Sequence, residues 1–227
     1  MVGMRKGDAG SLSNIKLDGS NFSRRKVGKS SDEIIRSCLS ETIENCKDGA
    51  SVVLELPTEN YFQVNVSSAR FLIDSGFEGI YVSFQRPLKN IHSLFKEQCL
   101  DINKVILVDL ATKCSDDSLP LKIDQLGKSV YSQIENLKTN NIFILIDSLN
   151  TLSLYRSSEE IIEFADILVQ NINKHGSKNI VVLFNVAKDL CQKDFIKDIM
   201  FNADQVINVK KSIEKYSEDI IHPGMLT

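Results

Sequence analysis

The chain lacks the cysteine and histidine spacing that builds a structural zinc site. Its five cysteines form no Cys-x-x-Cys pair, and its three histidines share no motif with them. Tetrahedral zinc sites need such clusters, so we expect none here. An odd number of cysteines in a chain of 227 residues also fits a reducing cytosol better than a disulfide framework. These absences predict a cytoplasmic protein that needs neither disulfides nor structural zinc.

Long apolar runs and an apolar leader are missing as well. No stretch of the sequence approaches the roughly 18 consecutive apolar residues of a membrane span. The N-terminus has charges but no apolar core behind them, which is unlike a signal peptide. We therefore expect no membrane partner. The net charge of −3 gives no electrostatic reason to expect nucleic acid as a partner of the whole surface.

The charge is unevenly distributed along the chain. Residues 1–31 contain seven basic side chains and two acidic ones, a net charge of +5, which leaves −8 on the remainder. The composition of residues 1–29 is typical of a flexible arm, and a basic arm is a candidate contact for nucleic acid or an acidic partner. We predict three parts: this arm, an α/β domain over 30–209, and a C-terminal helix and tail over 210–227.

The central part of the sequence alternates between strand and helix patterns. Short apolar runs predict strands over 51–56, 80–84, 105–109, 142–147, 180–184 and 206–209. Helical patterns are predicted from Ser30 to Gly49 and over about 64–75, 88–99, 123–138, 158–175 and 189–201. Most of the strands are continuously apolar, which is typical of parallel strands covered on both faces. The sequence therefore predicts an α/β fold with a parallel sheet built from right-handed crossovers.

Glycine and lysine are absent from one informative place. Between residues 50 and 75 a buried-type strand runs into a helix with neither residue present. Nucleotide-binding α/β proteins carry a phosphate loop at such a junction. Further along, the strand over 142–147 ends in Asp147 and is followed by Ser148. A carboxylate at the carboxyl end of a parallel strand lies at the ligand-binding edge of the sheet, where it can help to hold Mg²⁺.

Two motifs carry a resemblance to a known family. Val82-Ser83-Phe84 and Ile146-Asp147-Ser148-Leu149, in the order of elements over residues 49–209, resemble the archaeal-type KaiC-like branch of the RecA superfamily of P-loop NTPases. The resemblance implies the RecA-like P-loop NTPase fold, a three-layer α/β sandwich with a mostly parallel sheet. In active members of the family it also implies ATP hydrolysis at subunit interfaces.

The phosphate loop of that family is replaced in this sequence. Counted back from Phe71-Leu72, residues 58–65 stand in place of Gly-x-x-Gly-x-Gly-Lys-Thr/Ser. Side chains at the glycine positions disfavour the positive φ that an anion-binding loop needs, and Glu59 would repel phosphate. We expect Tyr61 and Phe62 to fill the vacated phosphate pocket. The vestigial nucleotide-binding residues would be Thr58, Glu59, Asn60, Tyr61, Asn65, Asp147 and Ser148, with Asp147 as the metal ligand if Mg²⁺ is bound.

A second part of the family's catalytic machinery is also replaced. Active KaiC-like members follow the Val-Ser-Phe strand with a pair of glutamates, one of which activates the attacking water. Gln85 and Arg86 occupy these positions here, and neither side chain can act as a carboxylate base. The sequence therefore offers no catalytic residues for ATP hydrolysis.

Three functions remain open from the sequence. The first is a catalytically inactive RecA/KaiC-like domain, a pseudoenzyme that regulates or signals by binding a protein partner or by self-association. The second is a nucleotide-binding protein with a non-standard phosphate loop, in which ATP and Mg²⁺ bind weakly; otherwise no cofactor is expected. The third is a recombinase-like accessory factor in DNA repair that contacts nucleic acid through the basic arm. An enzyme of unrelated chemistry on the same scaffold also remains possible, because a fold does not fix a function.

Overall fold

The computed structural model describes residues 31–45, 49–110, 122–172, 174, 177–187, 190 and 195–209. The predicted N-terminal arm and the predicted C-terminal helix and tail lie outside the described residues. Within them the chain forms helices and strands that alternate in the predicted order.

The bounds of the elements are as follows. The helices are α1 (Ser31–Asn45), α2 (Tyr61–Asp74), α3 (Leu88–Glu97), α4 (Ile123–Tyr131), α5 (Leu149–Leu152), α6 (Ser158–Ile172) and α7 (Phe195–Asn202). The strands are β1 (Ala50–Leu56), β2 (Glu78–Ser83), β3 (Val105–Asp109), β4 (Asn141–Asp147), β5 (Asn179–Ala187) and β6 (Gln205–Asn208).

The six strands form one sheet in the order β3-β2-β4-β5-β1-β6. Every pair of neighbours is parallel, as the continuously apolar runs predict. The predicted α/β fold class with a parallel sheet is therefore confirmed.

Helices cover both faces of this sheet because the side chains of each strand alternate between two apolar cores. Apolar residues of α1, α2 and α3 pack on one face, around Leu54, Tyr81 and Leu145. Apolar residues of α4, α5, α6 and α7 pack on the other face, around Val82 and Ile144. The result is a three-layer sandwich in which the carboxyl ends of β1, β2, β4 and β5 meet at one edge.

Three helix predictions need correction. The helix predicted from residue 64 begins at Tyr61, so the helix extends into the segment expected to be a degenerate loop. The helix predicted over 123–138 ends at Tyr131 and is followed by a separate turn, Ile134–Asn136. Lys178 Nζ donates to the Ile134 carbonyl at 3.1 Å, and Glu78 accepts from the Lys138 N–H at 2.8 Å. These tertiary hydrogen bonds take the groups that a continuous helix would use.

The third correction is the short helix α5, which the sequence analysis missed. Ser148 caps this helix, because its side chain accepts from the Thr151 N–H. Serine is a common N-cap residue, so Ser148 is the signal in the sequence that indicates this helix. The predicted helix over 189–201 is observed from Phe195 onward; much of its first part lies outside the described residues.

Among the described residues, no helix is long and apolar enough to cross a bilayer.

Candidate functional site

Polar side chains from three neighbouring strands and one helix meet at the carboxyl edge of the sheet. Tyr81, Asp147 and Asn185 point from β2, β4 and β5 toward α2, which contributes Tyr61 and Asn65. We call these five residues the polar cluster. Asn65, Tyr81 and Asn185 are fully buried, and Asp147 is 1% exposed. Burial of this many polar groups between apolar layers is costly unless they bond to one another.

A chain of hydrogen bonds links four members of the polar cluster. The Tyr81 hydroxyl donates to Asp147 Oδ2. The same hydroxyl accepts from Asn65 Nδ2 at 3.3 Å, and Asn65 Oδ1 accepts from Asn185 Nδ2 at 2.5 Å. The buried carboxylate of β4 is thereby connected to the end of β5 through two side chains.

The fifth member, Tyr61, closes the cluster at the start of α2. Its phenol lies beside Asp147, Ser148 and Asn65, but Tyr61 Oη has no hydrogen bond of good geometry within the described protein. The same holds for Asp147 Oδ1 and Asn185 Oδ1. The carboxylate of Asp147 is thus surrounded by phenols and amides.

Burial governs the protonation of these groups. Desolvation raises the pKa of Asp147 above its usual value, while the phenols of Tyr61 and Tyr81 and the charge of Arg86 oppose that rise. Burial also raises the pKa of both tyrosines well above the ordinary value, and the nearby charge of Asp147 adds to the effect. The tyrosines therefore remain protonated hydrogen-bond donors at neutral pH.

The segment at the phosphate-loop position contains no open loop. After β1 ends at Leu56, Pro57 leads into a single 3-10 turn over Thr58–Asn60, and α2 follows at once. Tyr61 and Asn65 are consequently helical residues, and Glu59 lies in the turn that precedes the helix. A phosphate-binding loop instead wraps its backbone N–H groups around the anion before the helix begins.

Gln85 and Arg86 lie in the turn between β2 and α3. Ser83 Oγ accepts from the Arg86 N–H at 3.0 Å and donates to the Arg86 carbonyl at 2.9 Å. The guanidinium of Arg86 lies over the ring of Phe62, 5.0 Å from its centroid. Gln85 is exposed.

A cleft of about 620 Å³ opens above the polar cluster at this edge. Tyr61 and Ser148 line it, whereas Asp147 lies beneath the lining. Its walls are formed by Thr58, Glu59, Tyr61, Phe62, Gln85, Arg86, Ser148, Asn150, Thr151, Ser153, Leu154, Ala187, Leu190 and Ile196. The cleft therefore brings together the two segments that the sequence analysis predicts to replace the phosphate loop and the glutamate pair, at 58–62 and at 85–86.

The predicted site residues fall into two groups in the structure. Tyr61, Asn65 and Asp147 belong to the buried polar cluster. The others lie around the cleft above it: Thr58, Glu59, Gln85, Arg86 and Ser148. Asn60 lies in the 3-10 turn, and its side chain is outside the described part of the structure.

Two members of the polar cluster, Tyr81 and Asn185, were missed in the sequence. Both are polar residues within otherwise apolar strands. Asn185 lies one position beyond Phe184, which pairs with Ile146, so it neighbours Asp147 across the sheet. A polar residue near the carboxyl end of a buried strand was the signal that could have identified them.

The donor set at Asp147 does not fit hydrated Mg²⁺. Magnesium in nucleotide sites keeps several waters and is shared between carboxylates and phosphate oxygens. Asp147 is almost completely buried and one of its oxygens accepts from Tyr81, while the other members of the polar cluster are uncharged side chains. In the described ranges no group of three or more His, Cys, Asp or Glu side chains could hold a metal ion.

Comparison with known proteins bears on the fold. No family model and no curated protein matches the sequence. The structure is similar to a KaiC-like protein of the hyperthermophilic archaeon Pyrococcus horikoshii OT3, with a TM-score of 0.50 and 15% identity over 70% of this chain and 69% of that one. It is also similar to the flagellar accessory protein FlaH of Methanocaldococcus jannaschii, with a TM-score of 0.49 and 13% identity over 70% of each chain. The first of these similarities shows that the chain has the α/β fold of a KaiC-like protein.

Proposed function

We propose that this chain is a RecA/KaiC-fold domain that does not hydrolyse ATP and that acts in the cytoplasm as a regulatory or signalling module by binding protein. One observation carries the proposal: Tyr61 begins α2 where a phosphate loop would lie, and its phenol packs beside Asp147. A helix begins where the phosphate-binding loop is expected, and an aromatic side chain lies beside the expected metal ligand.

The turn after β2 supports the same conclusion independently. A water-activating carboxylate is expected there in an active enzyme, and the chain has Gln85 and Arg86 instead. Arg86 is stacked on Phe62. Its guanidinium offers only N–H donors and has no acceptor atom for a proton from water. The proposal therefore rests on two separate parts of the site.

Nucleotide binding provides the direct test. We expect millimolar Mg-ATP to leave the unfolding temperature of the protein unchanged within about 1 °C, since a ligand at one hundred times its dissociation constant would add about 2.7 kcal/mol of stability. Differential scanning calorimetry with and without Mg²⁺ measures this. Asp147→Asn is the matched variant. Stabilisation of the wild type by Mg-ATP that Asp147→Asn abolishes would overturn the proposal.

An exposed apolar surface supports the protein-binding half of the proposal. Phe201 at the end of α7 is 90% exposed and Val206 in β6 is 42% exposed. In the described part of the chain β6 pairs on one side only, with β1. Unpaired strand edges beside apolar side chains are common sites of association.

Self-association through this surface is testable. We expect the wild-type chain to sediment above its monomer mass of 25.5 kDa at micromolar concentration. Phe201→Asp should sediment as a monomer, because a carboxylate that is buried in the contact without a partner opposes association. Analytical ultracentrifugation measures both. His92→Asp, at an exposed position of α3, is the control. A monomeric wild type, or equal effects of the two variants, contradicts the expectation.

Nucleotide binding is the second candidate function, and the volume of the cleft is the observation that favours it. A volume of about 620 Å³ lies within the range of about 300–1,000 Å³ usual for small-molecule sites, and Arg86 could contact a phosphate. Under this alternative the calorimetric shift with ATP would persist without Mg²⁺ and in Asp147→Asn, but disappear in Arg86→Gln.

A further inference from the structure

We propose that the cleft above the polar cluster binds a small organic acid with one negative charge and an apolar body, and that Arg86 is its anion contact. This inference goes beyond the proposed function, which requires only that the site not hydrolyse ATP. It assigns a ligand class to the space that the replaced phosphate loop and the replaced glutamate pair leave between them.

The backbone around Arg86 is fixed before any ligand arrives. Ser83 Oγ bonds both the N–H and the carbonyl of Arg86, and it also accepts from the Gln85 N–H at 3.4 Å. Pro87 then leads into α3. A side chain whose backbone is already ordered loses less entropy on binding, so the turn holds Arg86 ready at the cleft.

The guanidinium itself is oriented for an anion. Its face is occupied by Phe62, with 5.0 Å between the guanidinium carbon and the ring centroid. Stacking of this kind uses the π face of arginine and leaves its in-plane N–H donors available. No hydrogen bond or ion pair engages these donors among the described residues. A carboxylate can accept two of them in the plane, and such bidentate contacts are strong and geometrically specific.

The charges around the cleft favour a guest with a single negative charge. Of the described residues that line it, Arg86 is the only cationic one and Glu59 is the only acidic one. One guanidinium can neutralise one carboxylate, whereas a triphosphate would bring further negative charge toward Glu59. Like charges brought together at a binding site repel one another, so the lining disfavours polyanions.

The remaining walls suit an apolar body. Leu154 and Leu190 line the cleft and are 76% and 62% exposed. Ile196 and Ala187 lie in the same lining. An apolar ligand would remove these side chains from water, which is favourable in proportion to the apolar surface that is buried.

A matched pair of probes tests the proposal. Naphthalene carboxylate and naphthalene carboxamide have the same shape, but only the first is charged. We expect the wild type to bind the carboxylate about tenfold more tightly, and backbone-amide NMR signals of Phe62, Gln85 and Thr151 to shift during the titration. Arg86→Gln should remove the preference for the acid, and Arg86→Lys should retain part of it, because lysine keeps the charge but not the bidentate donors.

The control is Arg36→Gln. Arg36 lies on α1 in an exposed ion pair with Asp74, away from the cleft, so this variant should keep the full preference. Equal affinities for acid and amide in the wild type would overturn the proposal, as would a preference that survives Arg86→Gln or signal shifts outside the cleft. Displacement of the acid by micromolar ATP would also overturn it and support a nucleotide site. These outcomes are separate from the Mg-ATP calorimetry that tests the proposed function.

Discussion

Tyr81→Phe should destabilise the protein by about 1.5–3 kcal/mol at pH 7.5, which is the range for a lost hydrogen bond to a charged group. Tyr81 is the one residue of the polar cluster that donates a well-formed hydrogen bond to Asp147 within the described structure. Without it the buried carboxylate would keep only uncharged neighbours and the more distant charge of Arg86. Urea unfolding of both proteins measures the difference.

The pH dependence of this loss identifies its cause. The folded-state pKa of Asp147 is raised above 3.8, mainly by burial. A raised carboxyl pKa means that stability falls as pH rises from the unfolded value through the folded one. Tyr81→Phe removes a group that lowers the pKa of Asp147. The stability of the variant should therefore fall over a wider pH range than the stability of the wild type. The difference between the two proteins should therefore be smaller at pH 4 than at pH 7.5.

A second variant separates the charge from the packing. In an Asp147→Asn background the Tyr81 hydroxyl meets a neutral amide, and its removal should cost only about 1 kcal/mol. An equal loss at both pH values and in both backgrounds would mean that the Tyr81 hydroxyl stabilises the fold independently of the charge of Asp147, and no loss at all would mean that Tyr81 stabilises the fold through its ring alone. Tyr81 also packs edge-on against Phe95, with 5.1 Å between the ring centroids, and the change to phenylalanine preserves that contact.

Gly79→Ala should have an equally large effect, with a loss of about 3 kcal/mol or more. Gly79 lies opposite Phe143 in the parallel pairing of β2 with β4. A Cβ atom at this position would lie 2.0 Å from Phe143 Cζ, and Phe143 is completely buried. Overpacking of a tight core typically costs 1–3 kcal/mol, and sometimes more. Urea unfolding measures the loss.

Compensation provides the control for Gly79→Ala. Adding Phe143→Leu should recover part of the lost stability, because it removes the ring atoms that the new methyl group would meet. If Gly79→Ala alone had a free energy of unfolding within about 0.5 kcal/mol of the wild-type value, the Phe143 ring would be shown to move freely. Tyr81 lies two residues further along β2 and on the same face. A shift of this strand would therefore also disturb the hydrogen bond to Asp147.

The sequence by itself determined the layers of this protein. Continuous apolar runs that alternate with helical patterns specify parallel strands covered on both faces, and the strand bounds differ by only a few residues from those observed. This follows because buried parallel strands need apolar side chains on both faces. The sequence also located the edge of interest, since Asp147 ends a strand and the carboxyl ends of parallel strands meet.

Only the tertiary structure decided what lies at that edge. Tyr81 and Asn185 are distant in sequence from Asn65 and Asp147, and their hydrogen bonds depend on strand order and register, which local patterns do not encode. The sequence also did not show that α2 starts at Tyr61. The segment over 58–65 has no glycine that would mark the end of a loop, and its helical residues face a polar interior. The stacking of Arg86 on Phe62 joins two turns that the sheet brings together. Composition and periodicity fixed the scaffold, whereas long-range pairing fixed the polar cluster and the cleft above it.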